Sequence, residues 1–302
     1  MKKIKAVSPY VDAVSCNFKL QPYEAWMNIG GEVASAHYPW RKLHGLAYKI
    51  GLPSFYKNNL EARLRFVEAS SIRFDTFPDY ARYEIIPLVW DCWPSNDDRL
   101  VRWFKQHDVK TVIFTSNDAS RRIQKILTDL NILTITEGID ATIYPEGLSL
   151  KEREIPLYLY GRAPSELWKQ MKALNGVGAG DYRDFHYRLQ HAKVTVALPR
   201  CDVEPKETGG QETLTQRFWE GMLSRMVMVG RAPKELTDLI GYNPIIDIDY
   251  DHFADQVHNI VAHVEDYQPL VDKNREVALQ MAPWKIRMKQ VMEWLKGLGY
   301  DI

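Results

Sequence analysis

From Glu84 onward, short apolar runs alternate with amphipathic stretches. Ile85–Trp90, Val109–Phe114 and Ile132–Ile135 are four to six residues long. That is the length of strands buried on both faces of a parallel sheet. Between them, residues 96–106 read as a helix with Ser95 or Asn96 as its cap. Ser116-Asn117-Asp118 opens a second helix, with Ile123, Ile126, Leu127 and Leu130 at 3.6-type spacing. A second alternating series starts with a strand, Ile155–Tyr160, that ends at Gly161. It continues as a helix over 164–174, turn material over Asn175–Gly180, a helix over 182–191 and a strand over Lys193–Pro199. A helix over 214–224, a strand over Met226–Val229, a helix over 233–240 and a strand over Pro244–Ile248 follow. From Asp251 the pattern is almost entirely helical, whereas residues 1–80 show aromatic clusters and glycine and proline interruptions without a clean period.

Strands alternating with helices across short loops predict an α/β fold of two Rossmann-like, doubly wound domains. The length of 302 residues is comfortable for two domains of about 150 each. The expected division is 1–148 and 149–283. Residues 140–154, with Tyr144-Pro145-Glu146-Gly147 and the charged run Lys151-Glu152-Arg153-Glu154, read as the linker. Such a pair places its ligand cleft between the domains, at the carboxyl ends of the strands.

Composition removes several function classes. Lys plus Arg and Asp plus Glu balance at 39 each, with no basic run, which argues against nucleic acid as a partner. Cys16, Cys92 and Cys201 form neither a disulfide framework nor a metal spacing, so a reducing cytoplasm is the simpler setting. The basic start Met1-Lys2-Lys3-Ile4-Lys5 is followed by no apolar segment and does not read as a signal peptide. No stretch approaches the roughly 20 apolar residues that span a bilayer. Neither a Gly-x-Ser-x-Gly elbow nor a Walker loop is present, so acyl and NTP hydrolysis have no support.

The chemistry concentrates in Gly209-Gly210-Gln211-Glu212-Thr213-Leu214-Thr215-Gln216-Arg217-Phe218-Trp219-Glu220-Gly221-Met222. It lies between two apolar runs and reads as strand, glycine loop, helix, strand. A glycine loop feeding a helix start beside a strand end is a place for phosphates. Thr213 or Thr215 can cap the helix, whose first amides then favour an anion. Arg217, Glu220 and Ser224 share one helix face, and eight residues of helix span about 12 Å at most. Taken on spacing alone, an amphipathic helix with solvated charges explains the same residues.

The neighbouring residues add a resemblance. Glu212 to Gly230 resembles the donor-binding motif of the retaining group 1 glycosyltransferases of GT-B fold. There, a glutamate, seven residues and a second glutamate precede a small-residue turn and an apolar strand, here Gly221-Met222-Leu223-Ser224 and Val227-Met228-Val229. Lys193–Pro199, Pro244–Ile248 and 251–297 are similar to the flanking strands and closing helices, the last of which crosses back to the first domain, so 284–302 is expected to join residues 1–148. Ile135-Thr136-Glu137-Gly138-Ile139-Asp140 and Tyr144-Pro145 resemble the end of that family's first domain. The likeness covers about two-thirds of the chain and is strongest for the branch with an arginine three residues before the second glutamate, here Arg217.

The resemblance implies roles. Glu220 takes the ribose hydroxyls, Glu212 lies at the donor sugar or its phosphate end, and amides near Thr213, Leu214 and Thr215, beside Gly210, hold the diphosphate. Arg162 matches the basic residue that neutralises the leaving diphosphate, or is a plain surface arginine. The lysine usual shortly after it is replaced by Lys169, further along a helix, or by Lys206 in the long loop. Thr213-Leu214 stand where the family has glycine and phenylalanine. Asn28-Ile29-Gly30-Gly31-Glu32 corresponds to the family's first-domain glycine loop or is an ordinary turn. Asp91 and Ser116, at strand ends, are candidates for acceptor contact, with helix capping as the alternative for Ser116.

The implied activity is transfer of a sugar from a nucleotide-diphosphate sugar to a glycan or lipid-linked acceptor, with retention, in surface polysaccharide or glycoconjugate synthesis. The resemblance implies no metal and no cofactor beyond the donor substrate. A non-catalytic nucleotide-sugar or glycan-binding protein on the same scaffold, and a nucleotide-sugar epimerase, are the rival readings. Asp247-Ile248-Asp249 and Asp249-Tyr250-Asp251 have the look of a metal-binding carboxylate pair, but Asp251 also suits a helix cap, and the structural reading is preferred. His252 and His258 have no metal partner at ligand spacing, while His37 or His44 could serve as a base. Tyr38, Trp40, Arg41, Lys42, Tyr48, Lys49, Tyr56 and Lys57 either pack the first domain or touch the inner face of a membrane holding a lipid-linked acceptor.

Overall fold

The computed structural model describes residues 1–9, 18–35, 46, 49–51, 58–70, 82–178, 180 and 184–302. Cys16, His37, His44, Tyr38, Trp40, Arg41, Lys42, Tyr48, Tyr56 and Lys57 lie outside the described residues. The chain divides into two units, Met1–Glu137 with Trp284–Ile302, and Gly138–Pro283.

In the first unit the described strands are β1 (Lys2–Val7), β2 (Val33–Ala34), β3 (Asn58–Glu68), β4 (Tyr83–Trp90), β5 (Thr111–Phe114), β6 (Asn131–Thr134) and β12 (Tyr300–Asp301). They form one parallel sheet of order β12-β1-β3-β4-β5-β6, with β2 on β1. Ile86 and Leu88 point to one face, where Leu64, Phe66, Trp26 and the final helix pack. Ile85 and Val89 point to the other, against Trp103, Phe104 and Ile123. That two-faced burial is why β4 reads as a continuous apolar run.

Helix α1 (Gln21–Asn28) precedes β2, α2 (Asp97–His107) follows β4, and α3 (Asn117–Ile126) follows β5. In α2, Leu100, Trp103, Phe104 and His107 are buried on one stripe, and the helix stops where Asp108 turns left-handed at φ 50°. Asn96 stands at its N-cap without a side-chain cap bond, whereas Ser116 caps α3 by accepting from the Ala119 amide at 3.4 Å. The last helix of the chain, Trp284–Gly297, buries Trp284, Met288, Val291 and Leu295 against Ile4, Ala6 and Trp26 of this unit. It therefore belongs to the first unit.

The second unit holds β7 (Ile155–Leu159), β8 (Val177–Gly178), β9 (Ala192–Ala197), β10 (Val227–Gly230) and β11 (Ile246–Asp247), all parallel, in the order β11-β10-β9-β7-β8. Tyr158, Ala197 and Met228 face Phe218, Trp219 and Met222. Leu157, Leu159, Val194, Val196, Val227 and Val229 face Phe253, Val257 and Ile260. The helices here are α4 (Ser165–Gln170), α5 (Phe185–His191), α6 (Arg200–Val203), α7 (Pro205–Thr208), α8 (Gln216–Leu223), α9 (Lys234–Ile240), α10 (Phe253–Ala262) and α11 (Gln268–Met281). The expected turn over Asn175–Gly180 contains the edge strand β8.

Residues 140–154 are built into this unit instead of serving as a linker. Tyr144, Leu150 and Arg153 are buried. The Arg153 guanidinium donates to the carbonyls of Leu148 (2.9 and 3.1 Å), Ala192 (2.8 Å) and Ser224 (2.9 Å). A lone charge in a charged run thus satisfies three carbonyls that loops would otherwise bury unpaired. Among the described residues no helix is long and apolar enough to cross a membrane.

Candidate functional site

The segment singled out by sequence lies at the carboxyl ends of β7, β9 and β10. Glycines 209 and 210 close α7 with φ of 59° and 74°, and a side chain at Gly210 would meet nothing within 4 Å. Helix α8 begins only at Gln216, so Glu220 and Arg217 are helical neighbours while Glu212 sits in the preceding loop. The two glutamates do not share one helix. Thr215 is the N-cap residue but makes no side-chain cap bond, and Thr213 is partly buried in the loop.

Glu220 projects beside two phenols. Tyr144 Oη donates to Glu220 Oε1 at 3.3 Å, and Tyr160 lies alongside. Burial raises the Glu220 carboxyl above its ordinary value, while Arg217 and the two tyrosines pull against that rise. Burial also drives the Tyr160 phenol well up, with Glu220 adding to it. The ring of Tyr160 stacks on Tyr158 at 5.0 Å, and Phe185 stands edge-on to it at 5.4 Å. His186 meets Tyr144 edge-on at 5.4 Å, and its imidazole is shifted down by burial.

Arg217 lies over the turn that follows β7. Its Nη1 donates to the Arg162 carbonyl at 2.5 Å, and its Cζ is 5.8 Å from the Tyr160 ring centroid. Gly161 makes this possible. Its φ is 67°, and a Cβ there would stand 2.0 Å from Arg217 Nη2. Arg217 is buried enough for desolvation to lower its pKa, with the neighbouring Arg162 acting the same way against Tyr160 and Glu220.

Arg162 itself is about half exposed and pairs through Nε with Glu204 Oε2 at 3.0 Å. Arg200 reaches the same oxygen at 2.7 Å. These two arginines hold Glu204 below the ordinary carboxylate value against burial. Glu212 belongs to a second cluster. Arg231 Nη1 donates to Glu212 Oε2 at 2.6 Å, and the Lys234 amide donates to Glu212 Oε1. Arg231 also grips Asp202 with Nε and Nη2, both at 2.7 Å.

Three expectations change. The Leu214 amide donates to Glu235 Oε2 at 2.9 Å, so a carboxylate of the chain already stands where an anion was expected. Lys169 pairs with Glu166 at 2.9 Å on the exposed face of α4, and Lys206 is exposed on α7. Gly30 and Gly31 follow directly on helix α1. A Cβ on Gly31 would strike the Trp26 indole at 2.1 Å, so this glycine serves close packing. Asp91, at the end of β4, is exposed with φ 50°, and Asn96 Nδ2 donates to its carbonyl at 3.5 Å. Asp249, not Asp251, receives the Asp251 and His252 amides, at 3.0 and 3.1 Å, so the capping carboxylate is Asp249. Tyr160, Glu204 and Arg231 were not singled out by sequence as site residues, and Tyr144 was named only in the linker and at the end of the first domain. No group of three or more His, Cys, Asp or Glu side chains able to hold a metal occurs among the described residues.

No protein-family model and no curated protein sequence matches the chain. Solved structures do. HepE of Anabaena, solved with UDP and glucose, superposes with a TM-score of 0.61 over 98% of this chain and 100% of its own, at 11% identity. Sucrose-phosphate synthase of Thermosynechococcus elongatus gives 0.61 over 99% of both chains at 12% identity. AviGT4, a glycosyltransferase of avilamycin A biosynthesis, gives 0.55 over 99% of this chain and 98% of its own, at 12% identity. The fold is GT-B. At these identities the likeness extends to backbone architecture over the full length, and the side-chain geometry above stands as this chain's own.

Proposed function

We propose that this GT-B chain is a glycosyltransferase. It moves a hexosyl unit from a nucleotide-diphosphate sugar to a glycan or lipid-linked acceptor, with retention and without a metal, in surface polysaccharide or glycoconjugate synthesis. The observation that carries the reading is the placement of Glu220, Arg217 and Arg162 around one turn at the carboxyl edge of the second unit's sheet. In this reading Glu220 accepts the ribose hydroxyls, and its carboxylate keeps lone pairs beyond the one Tyr144 uses. Arg162 faces the diphosphate. When the bond from the anomeric carbon to the phosphate oxygen breaks, the leaving diphosphate gains negative charge, and a guanidinium beside it lowers the barrier. Glu212 lies at the sugar. In the first unit Asp91, exposed at the end of β4, is the residue assigned to the acceptor, whereas Ser116 is buried and caps α3. The setting proposed is the cytoplasm, with access to the inner membrane face where the acceptor is lipid-linked.

The solved HepE complexes with UDP and with UDP-glucose support UDP as the first nucleotide to test. Thermal unfolding with UDP, GDP, CMP, ADP and TDP, with and without Mg²⁺, is measured on the wild type and on Glu220→Ala. The expected result is a rise in Tm with one nucleoside diphosphate, without metal, lost in Glu220→Ala. No shift with any of them at concentrations well above millimolar overturns the donor site.

A second reading, a non-catalytic nucleotide-sugar-binding protein, is favoured by the Leu214–Glu235 bond and by Lys169 lying on Glu166. Turnover separates the two. If Glu212→Ala abolishes measurable sugar transfer but keeps nucleotide binding, the protein is an enzyme.

A further inference from the structure

Arg231 follows directly on the glycine that ends β10. Its position is fixed by the backbone. The Arg231 amide donates to the Ala197 carbonyl at 3.1 Å, and a Cβ at Gly230 would stand 1.9 Å from that same oxygen. Only glycine permits this approach, so the root of Arg231 is held at the carboxyl edge of the sheet.

The side chain is then committed on two sides. Nε and Nη2 face the two oxygens of Asp202 at 2.7 Å each, and Nη2 also lies 3.7 Å from Cys201 Sγ. Nη1 donates to Glu212 Oε2 at 2.6 Å. One guanidinium thus serves two carboxylates, which together exceed its charge, and both hold its proton more firmly than usual. A cation so engaged is poorly placed to bind a phosphate. It is well placed to fix a carboxylate, because the fork of an arginine imposes an orientation that a single ammonium does not.

Glu212 is the carboxylate with work left to do. Its Oε2 receives Arg231 and its Oε1 receives the Lys234 amide. A carboxylate offers about four acceptor positions, so one position on each oxygen is filled by the protein. Glutamate ordered only on binding would cost roughly an order of magnitude in affinity, from lost rotamer freedom.

We propose that Arg231 is a positioning residue for Glu212. Together with the Lys234 amide it holds the Glu212 carboxylate in one orientation before ligand arrives, leaving one acceptor position on each oxygen for sugar hydroxyls. This rests on the reading of Glu212 as the contact to the donor sugar.

The test is calorimetric titration of UDP and of UDP-glucose into the wild type, Glu212→Gln, Arg231→Gln, Arg231→Lys and the Glu212→Gln/Arg231→Gln double variant. The quantity read is the ratio of the two affinities, which isolates the sugar. A merely structural role for Arg231 lowers Tm and leaves this ratio alone. The expected outcome is UDP affinity within about twofold throughout and a ratio about tenfold lower in Glu212→Gln. Arg231→Gln reproduces that loss, the double variant adds nothing further, and Arg231→Lys retains part of the wild-type ratio. If Glu212→Gln lowers the ratio and Arg231→Gln does not, the inference is wrong and the donor-site reading stands. If Arg231→Gln weakens UDP itself, Arg231 binds the diphosphate and the inference is overturned. An unchanged ratio in Glu212→Gln removes the sugar contact from Glu212 and the inference with it. If the wild type binds neither ligand, the proposed donor site falls first.

Discussion

Gly161 and Gly241 make a matched pair for asking what holds Arg217 in place. Both are left-handed, at φ 67° and 79°. A side chain at Gly241 would meet nothing within 4 Å, whereas at Gly161 its Cβ would stand 2.0 Å from Arg217 Nη2 and 2.8 Å from Cζ. Alanine at Gly241 therefore adds only the backbone term, about 1–2 kcal/mol. Alanine at Gly161 adds the same term and also displaces the guanidinium, breaking its bond to the Arg162 carbonyl. A bond from a charged donor contributes about 1.5–3 kcal/mol, so Gly161→Ala should cost that much more than Gly241→Ala. Urea unfolding of both variants, compared at equal m, measures the difference. Calorimetric titration with UDP supplies the functional half, in which Gly161→Ala weakens binding at least tenfold and Gly241→Ala leaves it unchanged. Equal losses of stability with equal affinity for UDP would refute the claim that this turn and Arg217 form one unit.

Three further outcomes follow from the same geometry. Glu204→Gln frees Arg162 from a half-exposed ion pair of 3.0 Å and should tighten UDP binding by about two- to fivefold, measured by calorimetry; weaker binding would show that Glu204 aims Arg162 instead of competing for it. Arg153→Met strands the carbonyls of Leu148, Ala192 and Ser224 and should destabilise the protein by about 3–5 kcal/mol in urea unfolding, a loss under about 1 kcal/mol counting against the role given to it. His107 is 3% exposed, edge-on to Trp103 at 4.7 Å, and burial pushes its pKa down from 6.5 to about 3. The folded value lies below the unfolded one, so its contribution is complete above pH 6.5 and is lost as pH falls from 6.5 toward 3. At pH 5 the loss is about 2 kcal/mol. His107→Leu should remove that part of the stability difference between pH 7 and pH 5, and an undiminished difference would refute the assignment.

What was legible in the sequence was whatever burial repeats locally. Ile85–Trp90 and Lys193–Pro199 could be read because strands covered on both faces become apolar throughout. β3 could not. It puts Ala62, Leu64 and Phe66 on one face but Arg63 and Arg65 on the other, and both arginines are buried. Arg63 reaches Glu61 at 2.8 Å and lies 3.6 Å from the Tyr83 ring centroid, contacts that no periodicity in residues 58–68 announces. The two-residue edges β8 and β12 are too short to carry a period at all.

The candidate site divides along the same line. Arg217 and Glu220 share a helix face, so their proximity is a matter of 3.6-residue spacing, and the strand before and after them marks the sheet edge. Tyr144 reaches Glu220 across 76 positions, and Arg231 reaches Glu212 across 19, so both partners come from topology. Topology also reversed the meaning of the charges around them. Glu204, Glu212 and Glu235 would each read as a solvated glutamate, yet each is bound to an arginine or a backbone amide at the carboxyl end of the second sheet. Arginines and amides already matched by carboxylates of the chain mean that any anionic ligand arriving there must replace an acceptor. The net gain is then a difference between two similar terms. Glu204 keeps Arg200 as a second partner, so its substitution removes the carboxylate that competes with a ligand for the half-exposed Arg162, which is why it is the one expected to tighten UDP binding.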